Sequence, residues 1–325
     1  MSDEPGPRTL RAEDWSVPHL LDAKAGRRVS VVVPARDEEK TVGGVVATVR
    51  EAWVERTGLV DELVVIDSDS VDGTAVAARD AGASVHSASA VRPDLGRAEG
   101  KGEALWKSLL VTTGDVLVFL DADVTSRAAH YVPGLLGPLL TDPGTALVKS
   151  VYERPLLQAQ SEAENESGGR VTELVARPLL ALHRPALAGL VQPLSGEWAV
   201  RRDVVEALPL PVGYGVEIAV LIDTADRHGV RSVAQVDLGR RIHRHHHHHT
   251  LGAMALQVMA AVERRVLRPT DLERDVTLRQ FERHGDTFRP VERRVPVWER
   301  PPVAEVSGYA VPPPSRPADS VGRGT

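Results

Sequence analysis

The chain has 325 residues, 42% hydrophobic and 26% charged, with a formal net charge of -6 and no cysteine. That is enough apolar material for a full α/β core, and it excludes a general nucleic-acid or membrane-surface binder, a disulfide scaffold, a thiolate metal site and a cysteine nucleophile. The opening residues Met1-Ser2-Asp3-Glu4-Pro5-Gly6-Pro7 carry no basic-then-apolar pattern, and no stretch approaches the ~20 apolar residues of a membrane span, so an intracellular, cytoplasmic protein is expected.

Residues 1–28 are polar with scattered proline and read as a loose arm with a short helix near residues 15–23. Val29-Ser30-Val31-Val32-Val33 is the first strand, stopped by Pro34, and a helix is expected over residues 41–56. Leu63-Val64-Val65-Ile66 is the second strand and runs into an acidic loop, in which Asp72 or Thr74 can cap a helix reaching residue 81. A short strand over residues 83–86 precedes a glycine-punctuated loop, 96–102, that carries Lys101 and opens a helix over residues 103–111. A lysine near a helix N-terminus can meet a phosphate together with free backbone N–H groups, or it can be solvated on a surface loop.

Val116-Leu117-Val118-Phe119-Leu120 is too short for a helix and fits a parallel strand covered on both faces; it ends in Asp121-Ala122-Asp123. Ligands of open α/β sheets sit at the carboxyl ends of such strands. Two carboxylates there can offer hard oxygen ligands to Mg²⁺ or Mn²⁺, which can hold a diphosphate, or they can be a solvated strand end. Further on come a strand over residues 145–152, a polar loop over 158–169, and Arg170-Val171-Thr172-Glu173 leading into a helix with Leu174, Val175, Leu179 and Leu180 apolar. A loop over residues 209–217 turns into a helix reaching residue 228, and Val233-Ala234-Gln235-Val236-Asp237-Leu238 is a late strand before the basic run Arg240-Arg241-Ile242-His243-Arg244. A helix over residues 251–266 follows, then a charged, proline-rich tail expected to be disordered from residue 312. The strand–helix alternation predicts a doubly wound, mostly parallel sheet.

Two strands ending in acidic loops, an Asp-x-Asp at a middle strand and a late histidine in a basic segment describe a site for a metal-bound nucleotide diphosphate. Pro34-Ala35-Arg36-Asp37-Glu38, Asp67-Ser68-Asp69-Ser70-Val71-Asp72-Gly73-Thr74 and Asp121-Ala122-Asp123, in that order, resemble the GT-A glycosyltransferases, in which the first two loops hold uracil and ribose. Five further segments make the chain similar to one family within them, the glucosyl-3-phosphoglycerate synthases of actinobacterial methylglucose lipopolysaccharide synthesis, over roughly residues 29–265. They are Gly100-Lys101-Gly102-Glu103-Ala104-Leu105-Trp106, Gly168-Gly169-Arg170-Val171-Thr172-Glu173-Leu174-Val175-Ala176-Arg177-Pro178-Leu179, Gln192-Pro193-Leu194-Ser195-Gly196-Glu197, Gly213-Tyr214-Gly215-Val216-Glu217-Ile218 and Ala234-Gln235-Val236-Asp237-Leu238-Gly239.

The resemblance implies a GT-A fold with a nucleotide-sugar half, 29–150, and a helical acceptor-side half, 151–270, between an N-terminal arm, 1–28, and an extended tail, 271–325. It implies a retaining glucosyltransferase that moves glucose from UDP-glucose to the 2-hydroxyl of D-3-phosphoglycerate, with Mg²⁺ or Mn²⁺, and a homodimer. The donor would meet Pro34, Ala35, Arg36, Asp37, Glu38, Ser68, Lys101, Asp121, Ala122, Tyr214, Glu217 and Arg241, and the metal Asp123 and His243. The acceptor would lie on Gly169, Arg170, Val171, Thr172 and His245, with Asp123 and Glu217 as the catalytic carboxylates. A backbone N–H run at a helix start with one Arg also suits a phosphate on elementary grounds.

Two positions depart from the family pattern. His245 stands where relatives commonly have Asn and opens a five-histidine run to His249, and Asp69 stands where they often have Gly and is expected to point to solvent. A GDP-mannose-dependent analogue and a non-catalytic sugar-nucleotide sensor stay open, whereas a nucleotidyltransferase would want a glycine- and arginine-rich loop after the first strand, which Pro34-Ala35-Arg36-Asp37-Glu38 is not.

Overall fold

A computed structural model of the chain describes residues 6–124, 128–153, 169–240, 248–266, 274–284 and 287–313. The strands are β1 (Arg8–Arg11), β2 (Val29–Ala35), β3 (Glu62–Asp67), β4 (Ser84–Ser87), β5 (Val116–Phe119), β6 (Leu147–Glu153), β7 (Trp198–Arg201), β8 (Leu210–Pro211), β9 (Val233–Arg240), β10 (Asp275–His284), β11 (Thr287–Pro296) and β12 (Glu299–Arg300). Eight of them form one sheet in the order β1-β9-β6-β7-β5-β2-β3-β4. All neighbours are parallel except β7, which runs antiparallel to both β5 and β6.

The valine-rich strands are buried on both faces, which their unbroken apolar runs require. Side chains alternate across the sheet. Val32, Leu117 and Phe119 join one core, shared with the helix Val216–His228, while Val31, Val33 and Val118 join a second, shared with the helices Val42–Val49 and Tyr131–Thr141. Phe119 and Trp198 pack tilted, ring centroids 4.3 Å apart, beneath the carboxyl end of β5. Truncating such a buried aromatic costs about 3–5 kcal/mol.

β2, β3 and β5 lie side by side and parallel, with Ala35 opposite Asp67 and Val32 opposite Phe119, so the loops after all three open on one edge. The GT-A class expected from sequence is the fold observed.

The structure departs from the sequence reading in three places. The N-terminal arm supplies β1, an edge strand on β9, where Thr9 Oγ1 accepts from Gln235 Nε2 at 2.8 Å and Leu10 packs against the second core. β7 was not expected, because four residues after a loop carry too little periodicity to separate a strand from its surroundings. The tail is not simply extended: β10 and β11 pair antiparallel over ten residues, with Val276, Leu278 and Val295 packed onto the helix His248–Val266 at Ala260.

Candidate active site

The loops after β2 and β3 are knitted together before any ligand is considered. The Asp37 carboxylate accepts from Val71 N at 2.9 Å, and Asp37 N, Glu38 N and Glu39 N donate to Ser70 Oγ, Thr74 Oγ1 and Asp72 Oδ2 at 2.9, 2.7 and 3.2 Å. Gly73 N returns a bond to the Glu39 carboxylate at 3.1 Å, and Ser68 N donates to Ala35 O at 2.8 Å. Asp37 and Asp69 both take left-handed backbone, φ 55° and 57°, a conformation Asp tolerates better than most side chains.

These bonds decide which side chains reach the cavity. Pro34, Ala35, Arg36, Glu38 and Ser68 line it, whereas the Asp37 carboxylate is turned into the loop pair. Asp69 does not point to solvent as expected. It accepts from Ser87 Oγ and Ser89 Oγ at 2.7 Å each and faces Arg97 at 3.3 Å. Burial alone would raise its pKa, but the bonds from Ser89 and Ser87 hold it below the usual carboxylate range.

Opposite these loops lies a charge cluster assembled from three elements. Lys101 is the first residue of the helix Lys101–Ser108, Asp121 follows β5, and Glu217 sits in the first turn of the helix Val216–His228. Lys101 Nζ is 2.7 Å from Asp121 Oδ1 and 2.8 Å from Glu217 Oε1. Burial works against its charge, yet the two carboxylates outweigh that and hold the ammonium well above the ordinary lysine value. The approach depends on glycine: a side chain on Gly196 would collide with the Asp121 carboxylate, and one on Gly102 with Pro211 O. Gly100, at φ 129°, turns the loop into the helix.

Lys149, on β6, lies fully buried beneath this cluster, donates to Ser195 O at 2.7 Å and sits 5.6 Å from the Trp198 ring. Burial pushes it down to about 7, against the pull of Glu217. Nearby, Tyr152 Oη donates to the Glu197 carboxylate at 2.8 Å.

The two regions enclose a cavity of about 620 Å³, within the range of small-molecule sites. Asp121, Ala122, Asp123, Tyr214 and Glu217 line it, and Val171 brings the Gly169-to-Thr172 segment to its wall, with Thr172 buried and Gly169 left-handed at φ 87°. Arg241, His243 and His245 lie outside the described residues. Among the described residues no three metal-ligating side chains converge. The carboxylates that do face the cavity offer oxygen donors alone, which suits Mg²⁺ or Mn²⁺, so the residues present fit such an ion at Asp123.

Part of the wall was not foreseen. Leu194 and Gly196 come from the loop before β7, Met254 and Gln257 from the helix His248–Val266, and Arg293 to Pro296 from the tail hairpin. Gln257 ties these together, accepting from Tyr214 N and donating to Pro296 O, both at 2.9 Å. Leu194 and Gly196 lie in the family-like segment Gln192 to Glu197, for which the resemblance implied no role; an isolated Gln on an amphipathic helix carries no signal of its own.

Comparison with known proteins agrees with this geometry. The model of Glycosyl transferase family 2 matches residues 30–176. The chain is 48% identical, over 89% of its length and 93% of the relative's, to glucosyl-3-phosphoglycerate synthase of Mycolicibacterium smegmatis. It also resembles the crystal structure of glucosyl-3-phosphoglycerate synthase from Mycobacterium tuberculosis in complex with Mn²⁺, UDP and phosphoglyceric acid, with a TM-score of 0.82 and 44% identity over 92% of this chain and 98% of that one. A second structure of that enzyme, with Mn²⁺, UDP and glucosyl-3-phosphoglycerate, aligns with a TM-score of 0.81 and 44% identity, over 92% of this chain and 99% of the other.

Proposed function

The chain belongs to the glucosyl-3-phosphoglycerate synthase family, and from that premise we propose that its cavity joins UDP-glucose and 3-phosphoglycerate into glucosyl-3-phosphoglycerate, with Mn²⁺ or Mg²⁺ as the metal. The observation that carries the reading is the convergence of the loops after β2, β3 and β5 with Lys101 and Glu217 on one cavity. In this reading the 2-hydroxyl of D-3-phosphoglycerate is the nucleophile and the α configuration is retained. Asp123 and His243 would hold the ion, which when bound supplies charge neutralisation for the departing diphosphate.

The chain's own residues do the rest. Pro34, Ala35, Arg36, Glu38 and Ser68 receive the uridine on the knitted loops. Lys101, pinned between two carboxylates, holds Asp121 and Glu217 at fixed places beside the sugar, where each can accept from its hydroxyls. Arg170, with the backbone N–H groups around Gly169, Val171 and Thr172, receives the acceptor phosphate. Attack then comes from the face that the leaving group vacates, and the leaving phosphate oxygen takes the hydroxyl proton. A cytoplasmic homodimer serving methylglucose lipopolysaccharide synthesis belongs to the same proposal, resting on family likeness; among the described residues no helix is long and apolar enough to cross a membrane.

The test is turnover of UDP-glucose, GDP-mannose and ADP-glucose, each with 3-phosphoglycerate. UDP-glucose should be strongly preferred; preference for GDP-mannose would make this the mannosyl enzyme, and turnover of none would remove the assignment. In the same assay Arg170→Ala should lose ~1.5–3 kcal/mol of acceptor binding, raising KM for 3-phosphoglycerate about ten- to a hundredfold, with UDP-glucose KM unchanged. Equal weakening of both substrates would move Arg170 out of the acceptor site.

A further inference from the structure

After the hairpin, residues 297–309 run back over β8, the helix Lys101–Ser108 and Glu206, and are fastened there along their length. Trp298 O accepts from Val212 N at 3.3 Å, β12 pairs antiparallel with β8, and Pro301 O accepts from Trp106 Nε1 at 2.8 Å. Val303 is fully buried in the first core, Ala304 N donates to Glu206 O at 3.2 Å, and Tyr309 Oη donates to the Glu206 carboxylate, which Arg202 also meets.

Arg300 is the buried centre of this strap. Its Nε and Nη2 each donate to one Glu103 oxygen at 2.8 Å, Nη1 donates to Leu95 O at 2.7 Å, and Nη2 to Gly96 O at 3.0 Å. The Trp106 and Trp298 rings each lie 5.0 Å from the guanidinium carbon. Arg300 is 7% exposed and Glu103 2%. One side chain thus grips both the loop that leads to Lys101 and the helix that Lys101 begins. That loop needs an outside hold, because glycines at both ends, Gly96 at φ 73° and Gly100 at φ 129°, leave its own backbone permissive.

We propose that Arg300 is a positioning residue for the donor: it fixes residues 95–103 so that Lys101 meets Asp121 and Glu217 at the cavity. A buried ion pair is by itself weak evidence for stability. What a planar guanidinium adds is direction, since its five donors fit one carboxylate and two carbonyls at once and a lysine cannot copy that fork. The proposal rests on the donor reading of the cavity, and it gives a function to a tail that carried no motif.

The experiment compares Arg300→Lys, Arg300→Met and Tyr309→Phe with wild type, by calorimetric binding of UDP with Mn²⁺, by separate KM values for the two substrates and by thermal melting. Arg300→Lys, which keeps the charge, and Arg300→Met should both weaken UDP about tenfold or more and leave the 3-phosphoglycerate KM within about twofold. Tyr309→Phe loosens the far end of the strap and should lower Tm without weakening UDP. UDP affinity within about twofold of wild type in a folded Arg300→Lys protein, or equal weakening in Tyr309→Phe, would reduce Arg300 to general stability and overturn the proposal. Failure of the wild type itself to bind UDP would instead overturn the donor reading, and Arg300's role with it.

Discussion

The loop pair after β2 and β3 and the Lys101 cluster face the same cavity but are built by opposite means. The loops are held as a platform by bonds between residues about thirty-three apart, nearly all of them side chain to backbone, and where a carboxylate takes part it accepts from a neutral backbone N–H. The cluster is held by ion pairs between residues brought together from three elements, Lys101 with Asp121 and Lys101 with Glu217. A hydrogen-bonded turn tolerates the loss of one bond because its neighbours remain. A buried charge group does not, because removing one partner leaves an uncompensated charge in a low dielectric. The platform should therefore yield gradually to mutation and the cluster abruptly.

The largest effect expected is at the cavity edge of the cluster side. Asp123→Ala should remove most of the rate, several kcal/mol in barrier, in an assay with saturating Mn²⁺. Near-normal turnover of that variant after EDTA treatment would take the metal away from Asp123. Next is Lys101→Met, which leaves Asp121 and Glu217 facing each other without the cation; kcat should fall about 10²- to 10³-fold. A kcat within about threefold of wild type in a folded Lys101→Met protein would show that the cluster does not depend on its cation.

Asp37→Ala probes the platform. It deletes one bond of the set, costing about 1 kcal/mol, so KM for UDP-glucose should rise only a few-fold with kcat held. A collapse as large as that of Lys101→Met would erase the contrast between the regions. A last prediction concerns stability rather than turnover: Lys149 stands at about 7 folded against 10.5 when exposed. Between those values the unfolded chain binds more protons, so this group's contribution to stability rises with pH and is flat below about 7. Lys149→Met should remove that rise when urea unfolding is compared near pH ~6 and ~9. A slope identical to wild type would show that Lys149 keeps its proton in the fold.

Local chemistry made some of this legible before any coordinates. Runs of valine ended by proline or acid marked β2, β3 and β5, since only strands buried on both faces tolerate unbroken apolar stretches, and the acid at their ends marked the ligand edge. The short motifs identified the family. What the sequence could not carry was any partnership formed at long range. Nothing in Asp69 announces Ser87 and Ser89 as its partners, so it was expected to face water. β1 and β7 are as short as β5 but lack its valine-rich run ended by acid, so the neighbours they pair with decide them. Lys101 could be read as a phosphate ligand, but its grip on Asp121 and Glu217 exists only once β5 and two helices converge. Arg300 lies 197 residues from Glu103, and only the folded chain, by returning its tail across the first half, makes them a pair.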